Sequence, residues 1–443
     1  MHFKMDEQTY RDLNVFGGSE YNFSLFGLFK KTKTVGGTAR LQEMMRSPIN
    51  DLHVLRNRSE AIDFLVKSPI KLDINHDQFD LILHYLNYDR GQLRNNLMDS
   101  LWAWTSNWLK PNQNYYTVQL GISYLLPLLA YAEDLIPVLQ QPNCPLLLKK
   151  LGSSLEEILA ISAIKYARSL AGRKRFTFHQ LAKLDVLLRK ENRLVLQDLL
   201  HVFYELDALS TVAATAARLD FCLPTYIDSE QISVQLDGLF HPAIPTPTCN
   251  NFHIDQKKLV FLSGSNMAGK SSLLKSVGIA VYLAHLGFPV PAKQMQTVIF
   301  NGLLSTINLA DNIENGLSHY FSEVMSIKKV ASLLTEQNRM FVILDELFKG
   351  TNARDAFEAS LLVINGLARI ESSVFIISSH ITELAPSLNN ENIRFQYLAH
   401  QMIDKKPHFT YQLKDGVAND GIGMYFIENE NIAGLLEQAI SKQ

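Results

Sequence analysis

The sequence predicts an α/β domain with a mostly parallel sheet over residues 226–443, preceded by a mainly α-helical domain over residues 1–225. Three observations predict it. Before about residue 225, apolar side chains recur at helical spacing. Beyond it, short runs that are apolar on both faces alternate with helical stretches, the pattern of buried parallel strands. The first of those runs passes into a helix through a glycine-containing loop.

At 443 residues the chain exceeds one ordinary hydrophobic core, which suggests more than one domain. A hydrophobic content of 47% with 19% charged residues fits a folded protein. The net charge of -2 excludes a chain that is basic throughout, so a nucleic-acid partner would have to meet local positive charge. Cys144, Cys222 and Cys249 are odd in number and far apart, which predicts free thiols in a reducing cytoplasm. Residues 1–11 are polar and lack the apolar core of a signal peptide. The most lipid-like stretches, 124–139 and 277–292, are broken by Pro127, Glu133, Asp134 and Pro137, and by His285, Pro289 and Pro291. Neither is expected to reach the roughly 20 apolar residues of a spanning helix.

In chain order, helical spacing is read at Leu41, Met44 and Met45, at Leu52 and Leu55, and at Ala61, Ile62 and Leu65. Similar stripes run through 79–86, 155–170 and 195–217, with prolines at 48, 69, 111, 142 and 145 between them. Residues 206–219 read as a connecting helix into the next domain. Ile232, Val234 and Leu236 then alternate as one face of a strand, and a loop with Pro242, Pro245 and Pro247 follows. Buried strands are read at 259–262, 339–346 and 374–379.

Residues 264–271, GSNMAGKS, satisfy the phosphate-loop pattern G-x-x-x-x-G-K-[ST] in full, between the strand 259–262 and the helical run 272–286. Glycines at 264 and 269 let the backbone curl so that successive N–H groups face phosphate oxygens, and the helix N-terminus adds its dipole. Lys270 would reach the β- and γ-phosphates of ATP, and the Ser271 hydroxyl would ligate Mg2+. Gly264, Ser265, Asn266, Met267, Ala268, Gly269, Lys270, Ser271 and Ser272 are the candidate nucleotide contacts. A chance match in a glycine turn is the competing reading, and the strand-to-helix context weighs against it.

The strand 339–346 ends in Asp345 and Glu346. An aspartate at the C-terminal edge of a buried strand beside a phosphate loop can hold magnesium, and the adjacent glutamate suits a general base for water. The strand 374–379 runs out into His380, which can contact a γ-phosphate or be an ordinary surface histidine. Candidate catalytic residues are therefore Glu346, His380 and Lys270, with Ser271 and Asp345 for the metal.

At these positions the sequence resembles the MutS DNA mismatch-repair ATPases, of the ABC-type branch of P-loop proteins. GSNMAGKSS at 264–272 is similar to the family's G-P-N-M-(G/A)-G-K-S-T, with Ser265 in place of proline and Ser272 in place of threonine. LAHLGFPVPA at 283–292, DELFKGTNARD at 345–355 and ISSHITEL at 377–384 are similar to L-A-Q-I-G-x-F-V-P-A, D-E-I-G-R-G-T-S-T-x-D and A-T-H-Y-x-E-L. DNIENGLSHYFSEV at 311–324 resembles D-D-L-A-x-G-x-S-T-F-M-x-E-M. The resemblance implies that Ser318, at a helix N-terminus, meets the γ-phosphate held by a second subunit, with His319 standing where the family has threonine. Residues 411–427 resemble Y-x-L-x-x-G-V-A-x-x-S-Y-G-I-H-V-A, and in that register Tyr425 takes the place of a histidine that packs on adenine. Residues 24–46 resemble the start of the family's helical lever domain, and 206–247 its closing helix with the following R-H-P-V segment, here His241 to Ile244.

No counterpart of the family's mismatch-reading and connector domains is read in this sequence, and no β-rich clamp is read in 80–200, so mismatch specificity is not expected from the resemblance. Residues 149–193 are rich in Lys and Arg, including Arg173, Lys174 and Arg175, with Glu156, Glu157, Asp185 and Glu191 opposing them. This is either a solvated helical face or a patch for the DNA backbone. The leading expectation is a cytoplasmic, homodimeric ATP-driven switch acting on double-stranded or branched DNA, with a repair protein as a further partner. The alternative is a nucleotide-dependent switch for a protein partner that binds no DNA, with Trp102, Trp104 and Trp108 either docking aromatics or core. An ABC-type transporter or chromosome-maintenance ATPase is disfavoured because no L-S-G-G signature is read.

Overall fold

The computed structural model describes residues 3–17, 23–89, 93, 113–173, 175–265, 267–307, 319–388, 391–403, 406–418, 425 and 429–441. Asn266, Ser318, Lys174 and the three tryptophans lie outside the described residues.

The chain forms two compact units. The helical unit comprises Phe29–Arg46 and Asn57–Thr215, and the sheet unit comprises Met1–Leu28, Ser47–Arg56 and Ala216–Gln443. The division therefore differs from a single cut at 225/226, and hydrogen bonds explain why. The Lys4 N–H bonds Asn301 O at 2.8 Å, and the Leu303 N–H bonds Lys4 O at 2.9 Å, so the N-terminal segment borders the sheet. The buried Asp12 carboxylate accepts from Ser305 Oγ at 2.5 Å and from the Ile307 N–H at 2.8 Å. Leu13 lies where a Cβ on Gly278 would come within 2.7 Å of it, so only glycine allows that approach. Further along, the Ile49 N–H bonds His285 O at 2.7 Å.

Helices α1 (Glu7–Asp12), α2 (Leu25–Phe29), α3 (Val35–Arg46), α4 (Leu52–Lys67), α5 (His76–Leu86), α6 (Gln113–Leu139), α7 (Leu146–Ala160), α8 (Ser162–Arg168), α9 (Phe178–Asp185) and α10 (Arg193–Leu219) come first in the chain. A π-helical turn, Val186–Glu191, joins α9 to α10. In the helical unit Gly121 of α6 admits the Tyr85 ring of α5, which a Cβ would meet at 2.3 Å. No strand occurs among that unit's described residues.

The reading of 124–139 as too interrupted to span a membrane needs correcting in one respect. Helix α6 runs 27 residues through Pro127 and Pro137, and is long and apolar enough to cross a membrane by length and composition. Val118, Ile122, Leu125, Leu129, Ala132 and Leu139 are buried, as befits a core helix.

The sheet unit adds strands β1 (Thr225–Tyr226), β2 (Val234–Leu239), β3 (Asn250–Ile254), β4 (Leu259–Ser263), β5 (Gln294–Thr297), β6 (Gly302–Thr306), β7 (Met340–Asp345), β8 (Val374–Ser379), β9 (Ile393–Ile403) and β10 (Lys406–Asp415). Between them lie helices α11 (Lys270–Ala284), α12 (His319–Glu336), α13 (Ala353–Ala368) and α14 (Leu384–Ser387), with α15 (Ile432–Ile440) at the end. The larger sheet has the order β10-β9-β4-β8-β7-β6, and a smaller one the order β1-β5-β2-β3. Within the larger sheet, β9, β4, β8, β7 and β6 pair in parallel, and β10 returns antiparallel to β9. All residues of β4 and β8 are buried, which is why they read as unbroken apolar runs. In such sheets the loops at the C-terminal strand ends form the ligand crevice. Here those ends deliver residue 264 from β4, Asp345 from β7 and His380 after β8.

Candidate functional site

The backbone leaves β4 through Gly264 at φ 148°, Met267 at φ 75° and Gly269 at φ 93°, and enters α11 at Lys270. A Cβ at Gly269 would stand 3.1 Å from the Tyr411 ring, so glycine serves both the turn and a close approach. The turn folds the Lys270 side chain back over the loop, where it is only 4% exposed. Its ammonium donates to Gly264 O at 2.6 Å and Ser265 O at 3.1 Å, and lies 3.5 Å from Glu346 Oε1. Burial lowers the Lys270 pKa from the ordinary lysine value, against the opposing pull of Glu346 and Asp345.

Strand β8 lies between β4 and β7, and its residue at the crossing is Ser378, in register with Asp345. A small hydroxyl there lets Asp345 reach past it. Asp345 Oδ2 accepts from Ser271 Oγ at 2.5 Å, and Oδ1 accepts from Ser378 Oγ. The Glu346 N–H bonds Ser378 O and Oγ, each at 3.1 Å. The Glu346 carboxylate meets Lys349 at 2.8 Å and His380 Nδ1 at 3.9 Å. Burial would raise its pKa, but Lys349, Lys270 and His380 together hold it below the usual glutamate value.

Lys270, Ser271, Asp345, Glu346 and His380, up to 110 residues apart in the sequence, thus converge. The buried Ser265 Oγ has no hydrogen-bond partner among the described residues. Ala268 is buried, while Met267 and Ser272 face outward. Ser318 falls outside the described residues, immediately before α12.

Beside the loop opens a cleft of about 430 Å3, whose lining includes His241, Ile244, Pro247, Met267, Leu398 and Tyr411. Tyr411 belongs to β10, in a left-handed conformation at φ 56°, within the bulge where the β9–β10 register shifts between Phe409 and Gln412. Asn250 of β3 pins that bulge: its Nδ2 donates to Tyr411 O at 3.0 Å, and its Oδ1 accepts the Leu413 N–H at 2.7 Å. Tyr425, the sequence candidate for the base, is not among the residues lining this cleft; its hydroxyl donates to Asn429 at 3.4 Å. Sequence reading missed Tyr411, although it opens the segment 411–427 that carries the resemblance.

In the helical unit the basic stretch is partly consumed internally. Arg189 is buried against Asp185, Arg168 pairs with Glu133 at 3.0 Å, and Lys149 donates to Pro142 O at 2.9 Å. Among the described residues no cluster of three or more His, Cys, Asp or Glu side chains forms, so the metal expectation rests on Ser271 and Asp345. The three cysteines are free thiols.

Comparison with known sequences finds a family match described as MutS domain V over residues 260–442, a segment that holds both the phosphate loop and the paired acids. The DNA mismatch repair protein MutS of Staphylococcus aureus strain MRSA252 is 28% identical over 276 residues, covering 59% of this chain and 30% of that protein. The proteins of the same name from strains JH9 and Newman are 28% identical over 260 residues, covering 56% of this chain and 28% of theirs. The chain therefore spans about 30% of the length of these relatives.

Proposed function

From the match of residues 260–442 to MutS domain V and the 28% identity to MutS proteins, we propose that the chain is a MutS-like protein that binds ATP with magnesium, hydrolyses it, and works as a dimeric switch on DNA. The observation that carries the ATPase part is the convergence of Lys270, Ser271, Asp345 and Glu346 around one loop. The loop suits a triphosphate: its ammonium now satisfies itself on the loop's own carbonyls, and the Ser265 hydroxyl has no partner among the described residues. Hydroxyl and carboxylate oxygens are the donors magnesium takes, and Ser271 and Asp345 would hold it. Bound there, the ion would offset the negative charge of the phosphate oxygens.

This chain's own groups do the rest. The loop N–H groups and Lys270 hold the phosphates, Glu346 orients a water and accepts its proton, and His380 contacts the γ-phosphate. The base lies in the cleft against Tyr411. Ser318 of one subunit would complete the site of the other. A second copy has an apolar surface to meet in Ile432, Leu435, Leu436 and Ile440 of α15, all exposed. The DNA part of the reading is supported by the names of the relatives and by basic residues of the helical unit such as Arg173 and Arg175. A cytoplasmic location goes with this reading.

The test is steady-state hydrolysis of Mg·ATP, alone and with homoduplex, mismatched or branched DNA. Hydrolysis that disappears in Lys270→Ala and rises with one DNA form supports the reading. Equal rates in the Lys270→Ala variant would exclude this site, and rates indifferent to every DNA would leave the protein-partner alternative.

A further inference from the structure

The loop between β7 and α13 holds Glu346 in a conformation that its own residues disfavour. Glu346 sits at φ 49° and Phe348 at φ 60°, in the left-handed region that side chains other than glycine adopt only when surroundings compel them. Ser378 of β8 holds the Glu346 N–H, and α12 holds the residues that follow. Phe348 is buried, and its ring lies 5.8 Å from the Tyr320 ring, centroid to centroid. Glu323, one turn along the same helix, accepts the Lys349 N–H at 3.1 Å through one carboxylate oxygen and the Gly350 N–H at 3.3 Å through the other. Two successive backbone donors on one carboxylate form a charge-assisted clamp, stronger and more directional than neutral bonds. Lys349, whose backbone Glu323 holds, is also the residue whose ammonium pairs with Glu346 at 2.8 Å. Helix α12 is itself tied to the neighbouring strand, with Ser326 Oγ 3.1 Å from Thr306 Oγ1.

We propose that Glu323 is a positioning residue for hydrolysis, clamping the loop that carries Glu346 to α12 so that a shift of α12 moves the base relative to the phosphate loop. This deepens the ATPase reading and rests on it. Glu323 itself would touch neither nucleotide nor metal. It acts through the backbone of Lys349 and Gly350.

The experiment is single-turnover hydrolysis of Mg·ATP by the full chain carrying Glu323→Gln, with the Kd for Mg·ATP measured alongside. Glutamine keeps one acceptor oxygen and turns a donor towards the other N–H, so one clamp bond is lost and a repulsive contact replaces it. The rate should fall about tenfold or more, because small displacements of a reacting group are costly, while Kd stays within about twofold. On a Glu346→Gln background the same substitution should cost nothing further, since both changes disable one base. In parallel, amide exchange at Lys349 and Gly350 should be protected in the unsubstituted chain and accelerate in the variant. An unchanged rate, an equal penalty on both backgrounds, a matching loss of Mg·ATP affinity, or unprotected amides in the unsubstituted chain would each overturn the proposal. An unsubstituted chain that takes up no Mg·ATP would defeat the ATPase reading and this inference together, whereas hydrolysis at equal rates by both proteins defeats the inference alone.

Discussion

Two clusters of opposite charges, one in each unit, use the same kinds of side chain in different ways. In the helical unit Asp185 and Arg189 have side chains 0% and 4% exposed. Asp185 accepts from Arg189 Nε at 2.8 Å, Arg189 Nη2 at 2.7 Å, Tyr85 Oη at 3.2 Å and the Leu93 N–H at 3.0 Å. The remaining arginine nitrogen donates to Tyr88 O at 2.8 Å. In the sheet unit, Glu346 faces Lys349, Lys270 and His380, and the first and last are about half exposed. The nearby Ser265 hydroxyl has no hydrogen-bond partner among the described residues. Both clusters bury charge, Lys270 at 4% and Glu346 at 15% exposure in the second, so a buried charge is common to both. What separates them is unfilled hydrogen-bonding capacity: the first network is saturated and holds one conformation, while the second retains donors that a phosphate would satisfy.

The largest effect expected from this contrast is on stability. Asp185→Asn or Arg189→Met should destabilise the helical unit by about 3–5 kcal/mol, since either leaves an unpaired buried group. Replacing both residues with apolar side chains of similar volume should recover most of that loss. Urea unfolding followed by circular dichroism measures it. A single-substitution cost below about 1 kcal/mol, the value of an exposed pair, would break the comparison.

A smaller effect concerns a buried group that is kept neutral. His285 Nε2 accepts the Phe300 N–H at 3.2 Å, so Nδ1 carries the proton and donates to Ile49 O at 2.8 Å. Burial lowers its pKa to about 4. The folded value lies below the unfolded 6.5, so only the unfolded chain takes up this proton between those limits. Stability is therefore complete above about pH 6.5 and declines as pH falls towards 4, by about 3 kcal/mol for this group. His241, also lowered to about 4 by burial and by Lys275, adds a similar slope. Denaturation midpoints from pH 7 to 4 should flatten by His285's share in His285→Gln. An unchanged slope would mean that the imidazole is not buried neutral.

Much of the sheet unit was legible because full burial writes a simple pattern. Leu259–Ser263, Met340–Asp345 and Val374–Ser379 are apolar on both faces, and the loop after the first obeys a spacing rule. The β9–β10 hairpin was not read, because β10 is mostly half-buried or exposed and its bulge interrupts the alternation at Tyr411. The attachment of residues 3–15 to the sheet was equally hidden: it depends on Asp12 meeting the backbone of residue 307 and the hydroxyl of residue 305, nearly 300 positions away. Asp185 and Arg189 fall in the stretch 149–193, read as either a solvated face or a patch for DNA, since composition alone does not distinguish a solvated pair from a buried one.

The smallest expected effect sharpens the nucleotide side of the contrast. Lys270 and Ser271 address phosphates, and nothing in their chemistry distinguishes one base from another. The cleft beside them is lined by Ile244, Pro247, Leu398 and the Tyr411 ring, surfaces suited to the flat face of a base. Base-on-aromatic stacking is worth about 1–3 kcal/mol. Tyr411→Ala should therefore weaken Mg·ATP binding by about tenfold, while Tyr411→Phe, which keeps the ring, should stay within about twofold. Inorganic triphosphate, which has no base, should bind both variants and the unsubstituted chain alike. Tyr425→Ala serves as the opposing variant, because the resemblance assigns the base contact to that position and the cleft does not include it. A tenfold loss in Tyr425→Ala with none in Tyr411→Ala would return the base to the C-terminal segment. Loss of triphosphate binding in Tyr411→Ala would show instead that the ring supports the turn at Gly269, against which it packs.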